Sequence, residues 1–168
     1  MLLPTKEPYI SGEGSIFEKL VEAGEAKSHI TLPFQLHLFL IGCLVEHLYD
    51  KNIVHEVLAL SFLHSIEKFG AQGNLLLKRG GDEALLLAGL FPERALRLNV
   101  SSSYFRLIGQ SFYASLGAKF QATGKPEVGK FYDELAQHFG LLEKVLNAGR
   151  VRHDSEWQAF LRFKIKLQ

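Results

Sequence analysis

The 168 residues, 47% hydrophobic and 22% charged, suffice for one domain with a real core and exclude a chain disordered throughout. A formal net charge of +1, a pI near 7.9 and the lack of any Lys/Arg run exclude the electrostatic footprint of a nucleic-acid binder. The single cysteine, Cys43, excludes a disulfide framework and a multi-cysteine zinc site.

Residues 1–14, rich in Pro, Gly and Ser, predict an irregular arm. Met1-Leu2-Leu3 is followed at once by Pro4, Lys6, Glu7 and Pro8, so no secretory signal is expected and the chain is read as cytoplasmic. Ser15-Ile16-Phe17-Glu18 has the form of a capping box, in which the Ser side chain accepts from a backbone N–H and the Glu reaches back. It predicts a short helix to about Ala26 with Ile16, Phe17, Leu20 and Val21 on one face. Thr31 and Pro33 mark a second helix to about Tyr49, since proline suits a first turn. That helix is apolar around nearly its whole circumference from Leu38 to Val45, which predicts a buried central element. Cys43 sits in this stretch and reads as a small apolar residue. The polar residues Gln35, His37, Glu46 and His47, with Pro33, make the stretch a poor membrane span, which needs about 20 apolar residues. Asp50 opens a third helix that Gly70 ends.

The middle of the chain is harder to divide. Asn74 to Lys78 predicts a turn or short helix broken by Gly80-Gly81. Asp82 then reads as the cap of a short apolar helix from Glu83 to Leu90, and Pro92 restarts the chain for Glu93 to Leu98. Ser101 to Ser103 offer N-caps for a long helix from Tyr104 to Ala122, stopped by Gly124. From Pro126, the residues Val128, Phe131, Tyr132, Leu135, Phe139, Leu142 and Leu146 recur at three- and four-residue steps. This predicts one amphipathic helix to about residue 147, its core face led by Phe131, Leu135, Phe139 and Leu142. In the tail, Ser155-x-x-Gln158 predicts a short helix, and Leu161 to Leu167 alternate apolar and basic residues, the period of an extended strand. The expected architecture is all-α, an irregular bundle of five to seven helices over 15–161 with an extended apolar/basic tail at 162–168.

Catalytic motifs are weak. Gly12-x-Gly14 lacks the third glycine and preceding strand of a dinucleotide fingerprint. Gly109-Gln110-Ser111-Phe112-Tyr113 has Tyr where a nucleophile elbow needs Gly, and His55-Glu56 has Ala59 where a zincin needs its second His. Histidine keeps metal chemistry open. Glu56, His64 and Glu67 share one side of the third helix, and Glu134 and His138 border the apolar face of the 126–147 helix. If these faces meet, the five residues would hold a divalent metal, the alternative to the expectation of no cofactor. The bland reading is surface hydrogen bonds within helices. His37 and His47 read as satisfied core or groove histidines, with a haem ligand as the other possibility.

A second alternative lies in the middle. A very apolar helix followed by Arg94, Arg97 and Arg106 reads either as an apolar pocket with a basic rim for an anionic or amphipathic ligand, or as a buried helix with solvated arginines. The stretch Gly81-Asp82 through Ala95, followed by Val100-Ser101-x-Ser103-Tyr104-Phe105, resembles a family of small bacterial helical proteins with no assigned activity. That resemblance implies a helical fold and adds no site residue.

Charge is distributed unevenly: residues 1–67 hold four basic side chains against nine acidic, a balance of −5, and the remainder fifteen against nine, +6. Such a dipole favours self-association or a charged partner. The reading that follows is a non-enzymatic protein acting through protein–protein contacts, as a homo-oligomer or with another protein, and with neither nucleic acid nor a membrane span.

Overall fold

The computed structural model describes residues 12–47, 62, 68, 70–93, 99–101 and 103–150. Among these there are six helices and no strand: α1 (Gly12–Ser28), α2 (Phe34–His47), α3 (Gly70–Leu90), α4 (Tyr104–Ala122), α5 (Pro126–Gln137) and α6 (Phe139–Gly149). The protein is all-α, as its sequence predicts. No described helix is long and apolar enough to cross a membrane. The chain divides into two units, Met1–His55 with Lys144–Gln168, and Glu56–Glu143.

In the first unit α1 packs against α2. Helix α1 starts at Gly12, inside the predicted arm, and buries Phe17, Leu20 and Val21, while Ile16 stays 49% exposed. It ends in a Schellman motif: Ile30 N–H bonds the Glu25 carbonyl at 3.1 Å and His29 N–H the Ala26 carbonyl at 3.4 Å. The left-handed position of this motif is filled by His29, with φ of 56°. Helix α2 begins where Pro33 predicts, with His37 N–H on the Pro33 carbonyl at 3.0 Å. It buries Leu36, Phe39, Leu40, Ile41, Cys43, Leu44 and His47. The last turns of α6 reach α1 through two glycines: a Cβ on Gly149 would collide with the Leu20 carbonyl, and one on Gly24 with that of Val145.

In the second unit α4 packs against α3 on one side and α5 on the other. Helix α3 departs most from the sequence reading. It is one helix of 21 residues, and Gly80-Gly81 do not break it. They admit two rings of α4, since a Cβ on Gly80 would overlap the Phe112 ring and one on Gly81 the Tyr113 ring. Two glycines cost a helix about 2 kcal/mol relative to alanine, and the aromatic packing they admit offsets that. Asp82 is accordingly mid-helix and fully buried instead of a cap.

Helix α4 starts at the predicted serines, yet Ser103 makes no side-chain cap. Its hydroxyl lies 3.2 Å from that of Ser101. It ends at Gly124 (φ 78°) in a second Schellman motif, with Lys125 N–H on the Phe120 carbonyl at 2.9 Å. The expected 126–147 helix is two helices that meet at His138. The Glu134 carbonyl there accepts both the His138 backbone N–H at 2.9 Å and its ring Nδ1–H at 2.8 Å. A side chain competing for a backbone acceptor disturbs the helical ladder, and one helix ends and the next begins at that residue. The apolar face is as predicted: Leu135, Phe139, Leu142 and Leu146 are fully buried and Phe131 nearly so.

The helix expected over residues 50–70 lies outside the described residues except for Phe62, which is helical, Lys68 and Gly70. The 94–98 segment, the 155–158 helix and the 162–168 tail lie outside them as well.

Candidate functional site

Among the described residues of the second unit, buried polar chemistry concentrates on α3. Lys78 and Asp82 are one helical turn apart and only 7% and 0% exposed. Lys78 Nζ donates to Asp82 Oδ2 at 2.6 Å. From α4, the fully buried Tyr113 donates its hydroxyl to Asp82 Oδ1 at 2.6 Å. Both carboxylate oxygens thus accept a short bond, one from an ammonium and one from a phenol, and such charge-assisted bonds are the strong ones. Beside them Arg79 Nε donates to Glu83 Oε1 at 2.9 Å. The ring of Tyr113 lies 6.1 Å from those of both Tyr132 and Phe139. This aromatic wall excludes water and raises the strength of every electrostatic contact behind it.

Such a cluster is held by mutual satisfaction. Isolated, a buried charge costs several kcal/mol, and the pair persists because its partners are in place. Its chemistry is that of a fixed acceptor: Asp82 takes one bond from Lys78 and another from Tyr113, on different oxygens. The cluster locks the register of α3 against α4, because Tyr113 reaches Asp82 only where Gly81 lets its ring approach.

Of the residues singled out from sequence, Arg106, Glu134 and His138 are described, and Glu56, His64, Glu67, Arg94 and Arg97 lie outside the described residues. Arg106 on α4 faces Glu143 on α6, with Nε to Oε2 at 2.7 Å and Nη2 to Oε1 at 3.1 Å, a two-pronged pair. The hydrogen bond to the Glu143 carboxylate, and then its charge, raise the Arg106 pKa above its ordinary value. An anionic ligand would therefore compete with Glu143 for this fork. Glu134 and His138 are half-buried neighbours across one turn. Because a carbonyl only accepts, Nδ1 of His138 is the protonated nitrogen in this bond, which directs Nε2 to act as acceptor when the ring is neutral.

In the first unit His37 Nδ1 lies 2.6 Å from Glu25 Oε1, joining α2 to α1. His47 is 4% exposed. His37 is satisfied by its contact with Glu25, as the sequence predicts.

The residues that sequence reasoning missed are Lys78 and Tyr113. Lys78-x-x-x-Asp82 and Arg79-x-x-x-Glu83 are two overlapping opposite-charge pairs at helical spacing, and they straddle Gly80-Gly81. That pattern favours a continuous helix by about 0.2–0.5 kcal/mol per pair, which does not by itself outweigh two glycines. The partner on α4 carries no comparable signal. Comparison with protein families, with curated proteins and with solved structures finds no match to this chain.

Proposed function

We propose that this chain is a non-enzymatic helical protein that works through protein–protein contacts, self-association among them. The observation that carries the reading is the exposure of large apolar side chains on otherwise well-packed helices. Phe34 at the start of α2 is 71% exposed and Leu107 on α4 is 61% exposed. Full burial of such a side chain is worth about 1.5–3 kcal/mol, so each is a natural interface anchor. The opposite charge of the two parts of the sequence gives a second copy of the chain an electrostatic reason to approach. Sedimentation velocity of the full chain across a wide concentration range tests this. The expected result is a dimer or larger species that Phe34→Ser or Leu107→Ser shifts toward monomer, with the helical spectrum unchanged. A wild-type chain that stays monomeric, with both variants indistinguishable from it in partner capture, would remove the reading.

A metal-dependent role for Glu56, His64, Glu67, Glu134 and His138 is the second reading. What favours it is the His138 ring, whose Nδ1–H is already fixed on a carbonyl, the arrangement that orients a metal-ligating histidine through its other nitrogen. Metal analysis of the purified protein, with His138→Gln as control, decides it. The third reading, a ligand pocket rimmed by Arg94, Arg97 and Arg106, is supported less, because Arg106 already spends its fork on Glu143.

A further inference from the structure

Helix α2 carries three metal-ligating residue types within five positions: Cys43, Glu46 and His47. At 100° per residue they fall within a 100° arc, with Cys43 between the other two. Cys43 is 2% exposed and His47 is 4% exposed. Their ligand atoms lie within 4.8 Å of each other. His47 Nε2 is 3.8 Å from Glu46 Oε1, and the Glu46 side chain is 53% exposed, which places a carboxylate between the buried imidazole and water. We propose that Cys43, Glu46 and His47 form a binding site for a zinc-class divalent ion.

The chemistry of the donor set selects the ion. Thiolate and imidazole together favour borderline and soft metals, zinc foremost, over magnesium or calcium. Two ligands at i and i+4 on one helix is the spacing by which the zincin motif presents its histidines to zinc. With a Zn–S bond of about 2.3 Å and a Zn–N bond of about 2.0 Å, tetrahedral geometry needs the two atoms roughly 3.5 Å apart. Side-chain rotation about χ1 and χ2 covers the difference without moving the helix. The Glu46 carboxylate, 3.8 Å from His47 Nε2, would turn inward as a hard third ligand, and three protein ligands leave zinc a fourth position. Binding is an exchange with the thiol proton: the S–H bond breaks, the S–Zn bond forms, and one proton leaves to solvent. Affinity therefore rises with pH. The apolar residues around the site, Phe39, Leu40 and Leu44 on the same helix, are themselves buried and keep its dielectric low.

The sequence holds only one cysteine, so a thiolate signal from bound metal reports this site and no other. The metal-free, reduced full chain is titrated with Co(II) as a spectroscopic stand-in for zinc. The expected result is one equivalent per chain with a sulfur-to-cobalt charge-transfer band, abolished when zinc is added. His47→Gln should weaken zinc at least tenfold and Glu46→Gln by a smaller factor, whereas His138→Gln leaves affinity unchanged. A second measurement requires no variant to fold: zinc should slow alkylation of Cys43 in the wild-type chain at least tenfold. Absence of the band, or alkylation indifferent to zinc, overturns the proposal. So does a folded His47→Gln protein with wild-type affinity. Cobalt bound without the band and lost in His138→Gln would instead support the Glu134/His138 reading. None of these outcomes bears on oligomeric state, so the interaction role stands or falls separately.

Discussion

Helix α3 and the stretch from α5 into the first turn of α6 both belong to the second unit, yet they are built by different rules. From Phe131 to Leu142 the buried residues recur at helical spacing, and Lys130, Gln137 and Leu141 mark the outer side. From Leu77 to Phe91 of the α3 segment every residue but Arg79 is buried. A helix with a wet face declares itself through periodicity, because its polar residues have somewhere to go. A helix enclosed on all sides cannot, and its polar residues must be matched singly by partners from other elements. The difference also separates two sources of stability, apolar volume in one case and a satisfied polar network in the other.

The network is where the largest loss is expected. Asp82→Ala removes the acceptor of two buried donors, the Lys78 ammonium and the Tyr113 hydroxyl, at a cost of about 3–5 kcal/mol. Chemical denaturation with a check that the m-value is unchanged measures it. The sharper test is the rescue. Replacing the whole set with apolar residues of similar size (Lys78→Met, Asp82→Leu and Tyr113→Phe together) should recover most of the loss, since burying the ions was costly to begin with. If the triple variant is no more stable than Asp82→Ala, the cluster contributes through something other than mutual satisfaction, and the contrast with α5 collapses.

The corresponding change on the apolar side is Leu135→Ala. Leu135 is fully buried, and truncation should cost about 2–5 kcal/mol through lost burial and the cavity left behind. No partner change of the polar kind can restore it; only an added side chain that fills the void would. A loss below about 0.5 kcal/mol would mean that this face does not form the core.

What could be read in the sequence follows the same division. The starts at Pro33 and Pro126, the stop at Gly124 and the Phe131–Leu146 face were legible because each depends on residues within one or two turns. The interruption at His138 was not, because it turns on a ring nitrogen choosing a carbonyl that its own backbone also uses. The continuity of α3 was not, because Gly80 and Gly81 are required by Phe112 and Tyr113, some thirty residues further on. Glycine in a sequence reports a break or a close approach with equal force, and only the partner decides which. The candidate site shows the same limit. Histidines and arginines drew attention as chemistry, yet Arg106 is answered by Glu143, and the deepest charge belongs to Asp82, which looked like a cap.

The smallest expected effect concerns the second ion pair. Arg106 and Glu143 make two hydrogen bonds, as good a geometry as Lys78 and Asp82, but the Arg106 side chain is 42% exposed. Water and salt screen such a pair, and its coupling should be about 0.2–1 kcal/mol. A double-mutant cycle of Arg106→Ala and Glu143→Ala measures that coupling free of the apolar packing lost with the arginine stem. It should shrink further as salt is raised, whereas the loss from Asp82→Ala should scarcely respond, since its charges are out of reach of counterions. The pH response has a definite sign. The pKa of Arg106 is raised in the folded state, so the stability this cation contributes is fully present below its unfolded pKa and is lost only as pH rises through the folded one. Both lie far above neutrality, and the arginine side of the pair gives no slope between pH 6 and pH 9, taken as roughly the working range. A coupling as large as that of the buried cluster, or one indifferent to salt, would show that exposure is not what distinguishes the two pairs.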